Sequence, residues 1–111
     1  MNISLFFTRV FETKYKRYKK KFKSLEDDLK SFTDNLSEIE ATDLGGGVFK
    51  YRLLVKSKNK GKSGGFRVIY FEILLSGNNK NVTLLTIYDK SEQSSISKKE
   101  ITTILKEEGL L

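Results

Sequence analysis

Phe66-Arg67-Val68-Ile69-Tyr70-Phe71-Glu72-Ile73-Leu74-Leu75 is the longest run of β-forming residues in this 111-residue chain. It is apolar on both alternating faces, so it reads as a central strand. Arg67 interrupts it near its start, where a guanidinium costs burial energy unless it pairs or faces a cleft. Downstream, Ser76-Gly77-Asn78-Asn79 is a turn and residues 82–88 are a further strand, so the two form a hairpin. Upstream, residues 57–65 are a Lys/Gly/Ser connector. Before it the period is two: Phe49, Tyr51, Leu53 and Val55 fall on one face, Lys50, Arg52, Leu54 and Lys56 on the other. An apolar face beside a basic one implies a sheet packed on helices, with the basic face open.

The helices come from the N-terminal half. Residues 3–7 alternate and are bulky, which predicts a first strand. Phe11, Tyr15, Tyr18 and Phe22 then recur at helical spacing, opposite a lysine-rich face. Ser24 and Asp27 carry a capping-box signal for a second helix, whose buried stripe is Leu25, Leu29, Phe32, Leu36 and Ile39. Residues 42–47, ending in three glycines, read as a loop. At the C-terminus, Ser97 and Glu100 form another capping box, Ile101, Ile104 and Leu105 a buried stripe, and Gly109 a C′ residue. The expected fold is α+β: a small, twisted, mostly antiparallel four-stranded sheet on an N-terminal helical hairpin, with a short C-terminal helix. The order is β-α-α-β-β-β-α in a single domain, 1–111.

Composition narrows the chemistry. Hydrophobic residues at 38% and aromatics at 12% are too many for a disordered chain. The sequence has no Cys and no His, which excludes disulfides, thiolate metal sites and every Ser-His or Cys-His arrangement. No metal or other cofactor is expected. The first residues lack the pattern of a signal peptide and are far too short for a membrane span, so a cytoplasmic protein without membrane contact is expected.

The net charge of +7 is segregated. Residues 1–24 carry +7, residues 25–49 carry −6, residues 50–67 carry +7 and the remainder −1. Clustered Lys and Arg at a pI near 9.6 are the footprint of a polyanion binder, although lysine-rich solvated helices give similar totals. Gly61-Lys62-Ser63 is no phosphate loop, because Lys56 stands where that pattern needs Gly and a strand follows. Glu72 is a lone strand carboxylate, more often an ion-pair partner than a general acid. The stretch 51–70 differs: Arg52, Lys56, Lys58, Lys60, Lys62 and Arg67 stand there without an acid, interleaved with Tyr51, Phe66 and Tyr70. Cations grip phosphates and aromatics stack on unpaired bases, so single-stranded RNA is a natural ligand; a flexible basic hairpin would also explain the lysines, but not Arg67.

Tyr51-Arg52-Leu53, Lys60-Gly61-Lys62-Ser63-Gly64-Gly65-Phe66-Arg67-Val68-Ile69-Tyr70 and Leu84-Leu85-Thr86-Ile87-Tyr88-Asp89-Lys90-Ser91-Glu92-Gln93 together resemble the RelE/ParE superfamily of type II toxins, within it the HigB-like branch. The resemblance implies a toxin that cleaves messenger RNA in the ribosomal decoding site, without a metal, by attack of a ribose 2′-OH on the adjacent phosphate. It implies catalytic roles for Arg67, Arg52, Lys56, Tyr88 and Lys90, and RNA contacts from Lys50, Lys58, Lys60, Lys62 and Tyr70. It leaves the base open: Leu54 occupies one of the places for a catalytic lysine, and Arg52 stays protonated. The implied partners are a cognate antitoxin, the ribosome and mRNA. Two other activities fit the same pattern, a ParE-like gyrase poison and an RNA- or ribosome-binding inhibitor that does not cut.

Overall fold

The computed structural model describes residues 2–58 and 65–111. Strand β1 (Asn2–Phe7) leads into helices α1 (Arg9–Lys21) and α2 (Leu25–Asp34). Strands β2 (Thr42–Gly45), β3 (Val48–Leu53), β4 (Phe66–Leu74) and β5 (Asn79–Asp89) follow, and α3 (Lys98–Glu107) closes the chain. Among the described residues the sheet has five strands, in the order β1-β5-β4-β3-β2. Among the described residues, only β1 and β5 run parallel; the other neighbours are antiparallel. The α+β class and the mostly antiparallel sheet are as expected, and the run from Phe66 is the middle strand. The count of four strands is corrected to five. Residues 42–45, expected in a loop, pair with β3 as an exposed edge strand. Their ladder bonds are made by backbone, which side-chain pattern does not report.

Each sheet face carries its own core. On one, α1 and α2 lay Phe11, Tyr18, Leu25, Leu29 and Phe32 over Leu53, Phe66, Val68, Tyr70, Val82, Leu84 and Ile87. Burying a large apolar side chain contributes about 1.5–3 kcal/mol, so this layer dominates stability. On the other face, Ile101, Ile104 and Leu105 of α3 cover Val48, Ile69, Leu85 and Tyr88. The basic face of β3 is therefore not wholly open; α3 roofs part of the same side of the sheet.

A β-bulge decides which β5 residues reach which core. The pairing shifts between Ile69↔Thr86 and Tyr70↔Leu84, leaving Leu85 as the extra residue. Before it, Val82 and Leu84 face the helical hairpin; after it Ile87 does, and Tyr88 turns to the α3 side. Strict alternation would have put Tyr88 on the same face as Val82 and Leu84, under α1 and α2.

The helix ends follow local chemistry with one exception. Ser97 caps α3 by accepting the Glu100 N–H at 3.0 Å. At the other end Gly109 has φ +71°, and the Leu110 N–H reaches back to the Leu105 carbonyl at 2.8 Å, the six-to-one bond that closes a helix. Ser24 does not form the expected capping box. Its hydroxyl donates instead to Asp28 at 2.6 Å and lies 2.9 Å from the Ser57 hydroxyl. That correction matters, because it ties the start of α2 to the segment after β3. The second helix also ends sooner than its apolar spacing implies, with Leu36 buried beyond it.

Candidate active site

Arg52, Arg67 and Tyr88 form one row across three strands: Arg52 is the register partner of Arg67, and Arg67 of Tyr88. Directly opposed residues hold their Cβ atoms about 4.5–5.5 Å apart, so two guanidinium groups and a phenol share one patch. The β5 bulge is what brings Tyr88 into it. Like charges directly opposite destabilise a sheet unless something anionic lies between them. Arg67 is half-buried, and its guanidinium donates to the Phe66 carbonyl at 3.3 Å. Among the described residues no carboxylate pairs with it.

The surroundings are built tightly. Gly65 precedes β4 at φ +81°, and a Cβ there would meet the Leu53 carbonyl at 3.1 Å and stand 4.0 Å from an Arg67 nitrogen. Only glycine suits that position. The Gly65 carbonyl accepts the Lys90 N–H at 3.2 Å, fixing the end of β5 beside the arginines. The Asp89 carboxylate accepts from the Ser91 N–H at 2.9 Å and hydroxyl at 2.8 Å, and lies 3.1 Å from the Lys58 ammonium. Burial raises the Asp89 carboxyl pKa, but the Ser91 and Lys58 contacts outweigh it and hold the group below its ordinary value. Asp28 accepts the Lys56 N–H at 3.1 Å, anchoring the other side of the same segment.

The residues expected at the site divide accordingly. Arg52, Arg67 and Tyr88 are brought together, with Lys90 next to Asp89 and its backbone on Gly65. Lys50 lies on the same strand as Arg52, one row further along the same face, opposite Ile69. Lys56 is exposed on the segment after β3. Lys58 is drawn into the ion pair with Asp89, its side chain 15% exposed. Tyr70 lies on the opposite face of the sheet, in the core beneath the helical hairpin and stacked on Phe49. Lys60 and Lys62 lie outside the described residues.

Tyr88 is 1% exposed, and burial raises its phenol pKa; Arg67 opposes the rise and Glu100 adds to it. It is therefore a neutral phenol near neutral pH, a proton donor rather than a base. Glu100 was read from sequence only as a helix-cap residue, yet its carboxylate is near enough to act on that phenol. The Asp89–Ser91 turn was also missed, although Asp followed two residues later by a bonded N–H is a recognisable turn signal. No group of three or more carboxylates among the described residues could hold a metal ion.

Residues 8–109 match the family described as "RelE toxin of RelE / RelB toxin-antitoxin system". The chain belongs to the RelE toxin family. The match spans every element from the start of α1 to the end of α3, including all three residues of the row. Membership makes the chain a toxin of a toxin–antitoxin system, of the kind that inhibits translation and has an antitoxin partner. No curated protein matches the sequence. No helix among the described residues is long and apolar enough to cross a membrane.

Proposed function

We propose that this RelE-family chain inhibits translation as a HigB-like, ribosome-dependent endoribonuclease that cuts mRNA without a metal. The observation that carries this reading is the half-buried Arg67 guanidinium, set beside Arg52 across the sheet with no carboxylate paired to it among the described residues. Two adjacent guanidinium groups suit a phosphate, because each offers planar donors to its oxygens. In the reaction the 2′-OH loses its proton and attacks the adjacent phosphorus. The bond to the 5′-oxygen breaks, leaving a 2′,3′-cyclic phosphate and a 5′-OH that takes up a proton. Arg67 and Arg52 would stabilise the charge that builds on the phosphate oxygens. Lys56, three residues beyond β3, and Lys90, whose N–H is held by the Gly65 carbonyl, are the candidate bases; the neutral phenol of Tyr88 is the candidate acid for the leaving oxygen. Lys50, Lys60 and Lys62 would hold the RNA backbone.

Induced expression followed by mapping of transcript 5′ ends tests the reading. Cuts that appear only in translated messages and follow codon register are expected. Intact messages on stalled ribosomes would instead mean a binding inhibitor, and an SOS response a gyrase poison.

A further inference from the structure

On the face opposite the arginine row lies an open cavity of about 830 Å³. Its apolar walls are Leu36, Ile39, Ala41 and Phe49, and its polar groups include Glu40, Tyr70, Glu72 and Lys80. Tyr70 is 3% exposed, yet its hydroxyl makes no hydrogen bond among the described residues although the side chain lines this space. The buried side-chain oxygen without a partner among the described residues is Thr86 Oγ1, so the Tyr70 oxygen still reaches the open cavity, and a polar guest would take the place of water on it. Burial, then the nearby Glu72, push the Tyr70 pKa up to about 12, so the phenol stays neutral and can both donate and accept. Glu72 lies 3.4 Å from Lys80, whereas Glu40 is exposed and makes no ion pair among the described residues. The cavity thus holds two carboxylates against one ammonium, and one of its walls, residues 36–49, belongs to the segment 25–49 whose charge is −6.

We infer that this cavity is a docking site for an arginine or lysine side chain on a basic segment of the antitoxin. The aliphatic stem fits the apolar walls, and the cationic head can lie on the Phe49 ring with Glu40, Glu72 and the Tyr70 oxygen as acceptors. Charge complementarity selects the occupant: an acidic segment suits the arginine row, and a basic one suits this side. Arg67 and Glu72 are five residues apart on β4, roughly 17 Å at 3.4 Å per residue, and on the hairpin side the exposed edge strand β2 borders the cavity through Thr42. A single partner chain carrying both kinds of segment would therefore pass around that edge. The inference rests on the toxin–antitoxin reading and not on the cleavage chemistry.

The test has two parts, both on the 111-residue chain. In the first, N-acetyl-arginine amide is titrated against isotope-labelled protein and followed by NMR. Shifts at Phe49, Tyr70 and Glu72 are expected, absent with N-acetyl-glutamate amide. Glu72→Gln, which leaves Lys80 uncompensated, should weaken binding about tenfold, and Lys80→Gln should tighten it by a similar factor. Binding of the glutamate probe, or reversed signs in the two variants, would overturn the assignment. In the second, Glu72→Gln should weaken the complex with the co-expressed antitoxin while transcript cutting by the free chain is unchanged. An unchanged affinity overturns the docking site, as does gel filtration showing that the chain alone pairs with itself through this cavity. Loss of cutting in every form of the chain would count against the nuclease reading alone.

Discussion

Arg67 and Asp89 are register neighbours of the same two strands, one row apart, and they illustrate opposite solutions to placing charge near a core. Asp89 is satisfied by Ser91 and Lys58, whereas Arg67 is left with one carbonyl and no carboxylate among the described residues. Arg67→Ala should therefore keep the fold, with an unchanged thermal midpoint, and abolish growth inhibition. Losing a transition-state contact of this kind costs about 3–4 kcal/mol, roughly two to three orders of magnitude in rate. A fully toxic Arg67→Ala variant would remove the arginine from the site. Asp89→Asn should do the reverse, lowering stability by roughly 3 kcal/mol because it strands the ammonium of Lys58. Its pH behaviour follows from the sign of the shift. The Asp89 pKa is lower in the folded chain than in the unfolded one, so its contribution is complete above the ordinary value near about 4. It is lost as pH falls through the lower folded value. Denaturant titrations from neutral pH down into this acid range should show wild type losing this increment and Asp89→Asn losing less.

At the level of elements, Thr8 is the joint between the sheet and the first helix. Its hydroxyl donates to the Leu85 carbonyl at 2.8 Å and accepts the Phe11 N–H at 2.9 Å, and the residue is fully buried. Leu85 is the bulged residue of β5, so one hydroxyl both caps α1 and satisfies the bulge. Thr8→Ala should cost about 2 kcal/mol, the upper end for a helix cap, read as a drop in the denaturant midpoint. Thr8→Ser should recover most of it; failure of serine to do so would show that the methyl group, not the hydroxyl, matters there. The contrast between what could and could not be read from sequence falls at such joints. Both faces of β4 are apolar and α3 carries its own cap and C′ glycine, so those elements were legible from local pattern. The β2 strand was not, because Thr42, Asp43, Leu44 and Gly45 are all exposed and are joined to the sheet by backbone pairing with β3. The bulge was equally invisible: Leu84-Leu85-Thr86-Ile87-Tyr88 reads as a simple buried run, and only the pairing with β4 shows that the alternation resets. The site was therefore half legible. Arg67 and Arg52 stood out as cations in β patterns, but their alignment with Tyr88, and the removal of Lys58 and Tyr70 from that row, depend on tertiary contacts.

Across the whole molecule, charge is arranged by face and by segment, and this determines how the chain should respond to salt. The basic row and the cations around it lie on the α3 side of the sheet and at its β3–β4 end, while the cavity bordered by Glu40 and Glu72 lies on the other side. A polyanion should therefore meet the chain from one direction, with its affinity governed by counterions released from each phosphate contacted. Lys58 is a poor reporter of that contact because it compensates Asp89 and its loss would also perturb folding. Lys56, Lys60 and Lys62 are better choices. Replacing these three with Gln should lower the slope of log affinity against log salt for single-stranded RNA or the ribosome by about 2 units. The expectation follows from roughly 0.7 per lost single-strand contact. Replacing Lys16, Lys19 and Lys20 on α1 removes the same charge from another part of the surface and provides the matched control. If net charge alone drives binding, both triple variants flatten the slope equally. If the RNA lies along the arginine row, only the first does, and the α1 variant keeps the wild-type slope with little change in affinity at moderate salt, where exposed charges beyond about 8–10 Å are screened.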